Sequence, residues 1–220
     1  MRKTEFANEE YYHVCNRGVD KRKVFLNNSD YHRFFISVCL LNDKQEGLSE
    51  RWRNLLKCNP KSDFSGFRRL SLRKPLVEVV AYCFNPNHYH LILKQLAEKG
   101  VEKFMHKLGT SYTMFFNKKY DRSGSLFQGR FKSIHIDSNE YLLYLSAYVN
   151  RNYFIHGYGN SRWKYSSLIE YSDSIKKKDK ICNPKPVLSQ FRNLKDYKEF
   201  LNSNSLYMKN KKETEKYLLE

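Results

Sequence analysis

The sequence predicts an α+β fold with a ferredoxin-like split βαβ core and a central antiparallel sheet. Its elements follow one another in the order strand, helix, strand, strand, helix, strand, which is typical of that core. The two middle strands, 76–84 and 88–94, are apolar or alternating runs separated by the turn residues Asn85, Pro86 and Asn87, as in a β-hairpin. Hydrophobic residues make up 40% of the 220 residues, which is enough for a packed core.

The other elements follow from periodicity and from residues that begin or end helices. Asn28, Ser29 and Asp30 form a helix cap, and apolar residues follow at helical spacing. Asp137 and Ser138 cap a later helix in the same way. The predicted elements are strand 10–16, helix 31–41, helix 101–120, strand 125–136 and helix 139–153.

The chain divides into a main domain, an insertion and a tail. We predict one domain over residues 1–160 and a basic helical C-terminal extension over 161–220, which contains the run Lys176–Lys178. Residues 43–75 are polar and basic and form an insertion or loop, with a short helix possible at 48–56. The insertion either offers phosphate contacts or is a solvated loop without a role.

Composition points to nucleic acid as the partner. Forty Lys and Arg against 23 Asp and Glu give a net charge of +17, and 17 Tyr and 15 Phe accompany them. Cations neutralise phosphates, and exposed aromatic rings stack on the bases of single strands. No apolar run is long enough to cross a membrane, and no apolar segment follows Met1, so neither a membrane nor secretion is expected. Five scattered cysteines suit free thiols in a reducing cytoplasm.

A His-x-His motif occupies the predicted second strand of the hairpin. Residues i and i+2 of a strand point to the same side, so His88 and His90 can reach one metal ion while Tyr89 faces the core. Two imidazoles suit Mn²⁺, Co²⁺ or Zn²⁺, and also Mg²⁺ when phosphate and water complete the shell. The motif also arises by chance, and a surface or hydrogen-bonded pair is the alternative.

The helix 139–153 carries a polar position in an aromatic stripe. Tyr141, Tyr144, Tyr148 and Asn152 are spaced by 3, 4 and 4 residues and share one helix face. Such a stripe is usually core, but an asparagine does not belong in one. Asn152 can give a third, oxygen ligand beside the histidines and place the Tyr148 phenol next to a bound phosphate.

Four segments together resemble a known family, the HUH single-strand transposases. They are 85–93 (NPNHYHLIL), 148–152 (YVNRN), 11–18 (YYHVCNRG) and 124–131 (GSLFQGRF). The first is similar to the family's metal motif and the second to its tyrosine motif, in which an amide or acid follows the tyrosine by four residues. The branch most similar is the REP-associated tyrosine transposases, and the resemblance runs in order over residues 8–170. Related sequences often have Met where Asn85 stands and Pro where Tyr153 stands.

The resemblance implies a metal-dependent transposase and endonuclease. Tyr148 would be the nucleophile, with Tyr144 as the competing assignment. His88, His90 and Asn152 would hold Mg²⁺ or Mn²⁺. The enzyme would cleave and rejoin single-stranded DNA that carries a hairpin, through a 5′-phosphotyrosine link. Residues 1–160 would be the HUH domain of a monomer or homodimer that acts at the nucleoid in a bacterial cytoplasm.

Two other functions remain open from the sequence. One is a domesticated relative that binds DNA or RNA without cleaving it. The other is a structural zinc protein that uses Cys83 with His88 and His90, which is disfavoured because Cys83 is expected to face away and CxxC is absent. Basic residues beside the predicted strands are candidates for phosphate contacts: Arg17, Lys21, Arg22, Arg122, Arg130 and Lys132.

Overall fold

A computed structural model describes residues 4–70, 73–159, 163–172 and 180–217 of the chain. The run Lys176–Lys178 lies outside the described residues. The strands are β1 (Tyr11–Arg17), β2 (Val77–Asn85), β3 (His88–Gln95) and β4 (Lys132–Ile136). The helices are α1 (Asn28–Leu41), α2 (Leu48–Cys58), α3 (Phe64–Leu70), α4 (Gly100–Lys119), α5 (Asn139–Asn150), α6 (Asn152–Ile155), α7 (Leu168–Tyr171), α8 (Lys185–Leu188) and α9 (Leu194–Tyr217).

The four strands form one antiparallel sheet in the order β2-β3-β1-β4. The strands β1 and β2 therefore run in the same direction with β3 between them, which is the split βαβ arrangement. The predicted fold class is confirmed. The histidine-bearing strand β3 and its neighbour β1 are the two central strands, so both faces of their pairing are covered by helices.

The turn of the β2–β3 hairpin holds the segment that follows β1 in place. The carbonyl of Pro86 accepts hydrogen bonds from the amides of Val24 at 2.7 Å and Phe25 at 3.1 Å. The carbonyl of Asn87 accepts from the amide of Gly18 at 2.9 Å. A side chain on Gly18 would collide with the backbone of Arg22, so this close turn requires glycine. The turn that precedes His88 is thereby held by main-chain bonds.

Helices cover both faces of the sheet. On one face, Phe34 of α1 contacts Tyr89 of β3 at 5.2 Å between ring centroids and Tyr112 of α4 at 4.9 Å. The cap of α1 lies one residue before the predicted residues 28–30, because Asn27 is the N-cap and forms a capping box with Asp30. Lys119 and Tyr120 bind the Asp30 carboxylate at 2.6 and 2.8 Å. On the other face, α5 and α6 pack against the sheet and α9 packs on them.

Two predicted elements have different bounds. The predicted strand 125–136 is wrong in its first half, because Gly129 turns the chain with φ at +70° and only Lys132–Ile136 pairs with β1. The predicted helix 139–153 is interrupted at Arg151, whose φ and ψ of −114° and 16° leave the helical region. Asn152 therefore begins a separate short helix.

The segment 43–75 is more ordered than a loop. The helices α2 and α3 fall within it, and α2 includes the short helix that the sequence indicates. Trp52 and Leu48 are buried against Ile36 and Leu40 of α1, and the Trp52 ring contacts Phe64 at 5.2 Å. A small second core thus joins this segment to α1.

The described part of the chain after residue 160 packs on the main core. Tyr171, Val187, Tyr197 and Leu201 belong to the same buried cluster as the sheet. The Asn150 side chain, at the end of α5, donates to the Tyr197 hydroxyl at 2.8 Å. A domain boundary at residue 160 stays a prediction. Among the helices of the described residues, none combines the length and the apolar character needed to cross a membrane.

Candidate active site

The two central strands place four metal-binding side chains on the sheet face beneath α5. His88 and His90 alternate with the core residue Tyr89, as predicted. Cys15 lies directly opposite His90 across the β1–β3 pair, and His13 is two residues before it, so both share the face of His90. Cys83 is opposite His90 on the other side. The prediction that Cys83 faces away is wrong, because residues directly opposed in an antiparallel pair point to the same face.

The ring of His88 is held in one tautomer. Its Nδ1 lies 2.6 Å from the Oδ1 atom of Asn87, which can only accept a hydrogen bond, so Nδ1 carries the proton. The Nε2 atom therefore keeps its lone pair, and it lies 3.0 Å from the Oδ1 atom of Asn152. A hydrogen-bonded partner on one ring nitrogen is the usual support for a histidine that binds metal through the other.

The Asn152 side chain lies beside His88, although the helix is interrupted at Arg151. Its Oδ1 atom and the His88 Nε2 atom are two acceptors that share one donor, the Nδ2 group of Asn85, at 2.6 and 3.0 Å. Two converging lone pairs of this kind suit a divalent ion. The Asn152 Nδ2 atom is buried and makes no normal hydrogen bond with the described residues. The donor set therefore fits a metal, and Asn85 fills the position between its atoms.

His90 is bound to a histidine that sequence reasoning did not single out. Its Nδ1 atom lies 2.8 Å from the Nε2 atom of His13, and the two rings stack at an angle of 10°. Burial lowers the pKa of His13 and of His88 to about 4, and it lowers the pKa of His90 well below its ordinary value. All three imidazoles are therefore neutral at pH 7, the form that binds metal ions.

Tyr148 is the phenol at this centre. Its ring lies 5.4 Å from the ring of His90 and 6.3 Å from that of His13. Burial raises the pKa of Tyr148, and the nearby Asn152 side chain partly offsets that rise. Tyr144, one turn earlier on α5, is 38% exposed and does not line the cavity described next.

A cavity of about 250 Å³ opens in front of these groups. Its wall contains His88, His90 and Tyr148, together with the cations Arg17 and Lys132. The described residues that line it include no Asp or Glu: they are Cys15, Asn16, Arg17, His88, His90, Gln128, Lys132, Tyr148 and His156. A cavity with neutral nitrogens, a phenol and two cations suits a phosphate group.

A lysine from α9 reaches the rim of the cavity. The Lys212 ammonium donates to the Nδ1 atom of His156 at 2.6 Å, and the His156 ring lies 5.3 Å from that of His88. Burial and the nearby Lys212 charge lower the pKa of His156 to about 4. The C-terminal helix therefore contributes a positive charge close to the centre.

The other basic candidates lie farther from the cavity. Lys21 is exposed in the turn after β1. Arg22 contacts Asp20 at 3.6 Å, and Arg122 donates to the Asn117 side chain at 2.8 Å. Arg130 is exposed beside a separate groove along α4. Of the six candidates, the structure brings only Arg17 and Lys132 to the centre.

Several residues of the centre were missed from the sequence. The pattern His13-Val14-Cys15 repeats the spacing of the His-x-His motif on the first strand, which was a usable signal because that strand was expected to pair near it. No comparable spacing in the sequence marks His156 or Asn85 as part of the centre. Their positions depend on the break at Arg151 and on the hairpin turn.

Comparison with known proteins gives a family match over part of the chain. The model of the family "Transposase IS200 like" matches residues 53–152. No curated protein matches the sequence significantly. A solved structure described as a REP-associated tyrosine transposase bound to a REP hairpin is similar with a TM-score of 0.49 and 12% identity, covering 84% of this chain and 92% of that one. A tRNA(His) guanylyltransferase from Saccharomyces cerevisiae follows with a TM-score of 0.31 and 12% identity, covering 93% and 82%.

Both TM-scores are below 0.5, and the family match rests on the sequence of residues 53–152. The matched stretch contains the hairpin, both histidines of the motif, Tyr148 and Asn152. The chain is similar to IS200-like transposases over residues 53–152, which are 100 of its 220 residues.

Proposed function

We propose that this protein cleaves and rejoins single-stranded DNA beside a hairpin, through a covalent 5′-phosphotyrosine link on Tyr148. The observation that carries the proposal is the convergence of the Tyr148 phenol, His88 and two cations on one cavity, with the buried Asn152 3.0 Å from His88. Tyr148, His88 and Asn152 all lie inside the family-matched segment. Each group is of the type that phosphodiester transfer by a tyrosine requires.

The reaction follows from the groups present. The Tyr148 oxygen attacks phosphorus, the bond to the 3′ oxygen breaks, and a free 3′-hydroxyl leaves. Another 3′-hydroxyl can then attack the phosphotyrosine and restore a phosphodiester, so no external energy source is consumed. The phenol must lose its proton, and the neutral imidazoles of His13, His90 and His156 surround its ring at centroid distances of 6.3, 5.4 and 6.5 Å. His90 is a proposed metal ligand and cannot also accept that proton, so His13 and His156 are the candidate acceptors.

The residues that would hold a metal ion are His88 through Nε2, Asn152 through Oδ1, and His90. Mg²⁺ or Mn²⁺ bound there would supply positive charge to the phosphate oxygens as charge develops on them. Asn85 must release the two acceptor atoms that it now bridges. Arg17 and Lys132 add charge for the neighbouring phosphates.

Single-stranded DNA as substrate rests on the family resemblance and on charge. The cavity opens on one face of the sheet. A DNA strand whose bases are unpaired can bring a backbone phosphate into it. The net charge of +17 supports a longer contact with the backbone. Action on bacterial DNA in the cytoplasm, by a monomer or a homodimer, belongs to the same proposal.

The second candidate is a relative that binds nucleic acid without cleaving it. One observation favours it: the Asn85 amide occupies the position between His88 and Asn152, where related sequences often have Met. If the Asn85 side chain cannot leave this position, His88 and Asn152 cannot bind a metal ion together.

Covalent capture separates the two candidates. The protein is incubated with a library of single-stranded DNAs that carry hairpins, with Mn²⁺, Mg²⁺ or EDTA, and adducts that survive denaturation are counted. The proposal predicts metal-dependent adducts that protease removes, and none with fully paired duplexes of the same sequences. Retained DNA without any adduct across the library supports the non-catalytic binder.

A further inference from the structure

A second group of potential metal ligands lies on β1, next to the proposed catalytic set. His13, Cys15 and His90 each offer one ligand atom, and these atoms all lie within 4.8 Å of one another. It is the one group of three such side chains found among the described residues. Two of its members, His13 and His90, are buried, and Cys15 is half-buried.

We infer that His13, Cys15 and His90 form a distinct binding site for a soft divalent cation of the zinc type. Two imidazoles and one thiolate match the ligand preference of Zn²⁺ and Co²⁺, whereas Mg²⁺ prefers oxygen ligands. A fourth position faces the cavity that Cys15 and His90 line, where water or another small ligand completes a tetrahedral shell.

The positions of the three residues are set by the pairing of the two central strands. Cys15 and His90 are directly paired across β1 and β3, and His13 lies two residues before Cys15 on the same face. Both strands are central in the sheet and have a hydrogen-bonded neighbour on each side. This pairing fixes the distance between the two backbones. The Nε2 atom of His13 and the Nδ1 atom of His90 are 2.8 Å apart. Two nitrogens on one zinc ion are about 3.3 Å apart, so small side-chain rotations are enough.

The proton balance of binding is simple. The hydrogen atom now shared by His13 and His90 moves to the other nitrogen of the ring that carries it, which frees both facing nitrogens. The Cys15 thiol loses its proton to solvent as the sulfur–metal bond forms. Burial raises the pKa of the Cys15 thiol, and the nearby Lys132 ammonium partly offsets that rise. Binding therefore releases one proton per ion.

The two metal sites exclude each other, and this part of the inference rests on the proposed function. A neutral imidazole has one lone pair, so His90 can bind one ion at a time. An ion held by His13, Cys15 and His90 removes His90 from the set with His88 and Asn152. Zinc at the β1 site would thus inhibit a Mg²⁺- or Mn²⁺-dependent centre without binding Tyr148.

Alkylation of the unmodified protein tests the site. The metal-free protein is treated with a thiol-alkylating reagent, with and without one equivalent of Zn²⁺, and the cysteine peptides are quantified by mass spectrometry. We expect zinc to slow modification of Cys15 roughly tenfold or more. Cys58 is exposed on α2 and serves as the internal control, with an unchanged rate. Equal rates at Cys15 with and without zinc would overturn the inference.

Cobalt spectroscopy gives the second measurement. Co²⁺ bound to a thiolate shows a sulfur-to-metal charge-transfer band, which Cys15→Ser should remove and His13→Gln should weaken. His88→Ala lies outside the ligand set and should keep the band, as should Cys58→Ser. A band that survives in folded Cys15→Ser, checked by circular dichroism, contradicts the assignment.

Competition between ions separates this inference from the proposed function. Binding of Mn²⁺, followed by electron paramagnetic resonance, should be lost when the protein is first loaded with zinc. If the thiolate band is present but Mn²⁺ never binds, the β1 site stands and the proposed catalytic metal set fails. If zinc and Mn²⁺ bind together, the exclusion through His90 is wrong.

Discussion

At the scale of single residues, the centre combines groups whose ordinary chemistry is altered by burial. His13, His88 and His90 are neutral because burial lowers the pKa of each ring. Tyr148 is held as a phenol because burial raises its pKa. The metal-free centre therefore holds neutral imidazoles beside a protonated phenol at pH 7.

The histidine motif should be needed for cleavage but not for holding DNA. We expect His88→Ala and His90→Ala to lower cleavage by at least about 100-fold, because charge stabilisation at the phosphate is lost. Most DNA affinity should remain, since Lys and Arg elsewhere contact the backbone. The assay compares adduct yield with binding measured by fluorescence anisotropy. His32→Ala, an exposed histidine on α1, is the matched control. Normal cleavage by both motif variants would remove the metal assignment.

The buried imidazoles also predict how stability depends on pH. In the unfolded chain His13 takes up a proton as pH falls through its ordinary pKa of 6.5, whereas the folded ring stays neutral down to about 4. Stability is therefore fully present above pH 6.5 and is lost between pH 6.5 and 4, by at most about 3 kcal/mol for this ring. Urea unfolding of the metal-free protein at pH 7 and pH 5 measures the loss, and His13→Gln should reduce it. The same free energy of unfolding at both pH values would contradict the burial argument.

At the scale of elements, the parts predicted correctly have strong local signals. The β2–β3 hairpin was predicted almost to its bounds because two apolar runs surround a proline turn. The strand 125–136 was overextended because the +70° φ of Gly129 is not visible in the apolar pattern. The break at Arg151 was missed because no Gly or Pro marks it. The pairing of His13 with His90 depends on the register between β1 and β3, which only the folded sheet fixes.

The helical insertion gives a prediction of its own. Trp52 is the centre of the small core that joins α2 and α3 to α1. Its removal should cost about 3 kcal/mol or more locally, because a large buried side chain is lost. We expect Trp52→Ala to unfold residues 48–70, seen as fast hydrogen exchange there, while β1 and β3 stay protected. Leu55→Ala, on the same helix but 37% exposed, is the control. Loss of protection throughout the sheet would show that the insertion is part of the main core.

At the scale of the whole molecule, charge and fold act together. The sheet presents its chemical groups on one face, and helices close the other face with an aromatic core. The net charge of the chain is +17, and Arg17 and Lys132 are the two Lys or Arg residues that line the cavity. In the proposed function, surface charge supplies affinity for DNA and the cavity supplies the chemistry.

This division predicts a steep salt dependence. Each phosphate contact adds about −0.7 to the slope of log affinity against log salt for single strands. With a net charge of +17, we expect several contacts and a slope steeper than about −2. Binding of one hairpin DNA between low and high salt measures it. A flat response would favour a protein or small-molecule partner instead.

The central claim is that Tyr148 is the nucleophile. Tyr148 contacts the His90 ring and lines the cavity, whereas Tyr144 is a turn away, about 6 Å along the helix axis, and exposed. Because Tyr148→Phe removes only a hydroxyl, it should keep metal and DNA binding and lose covalent attachment, and Tyr144→Phe should keep attachment.

The most direct measurement is mass spectrometry of the peptide that remains linked to DNA after protease digestion. The account predicts a 5′-phosphate on Tyr148 in the wild-type protein and in Tyr144→Phe. An adduct on Tyr144, or one that persists in Tyr148→Phe, would contradict it.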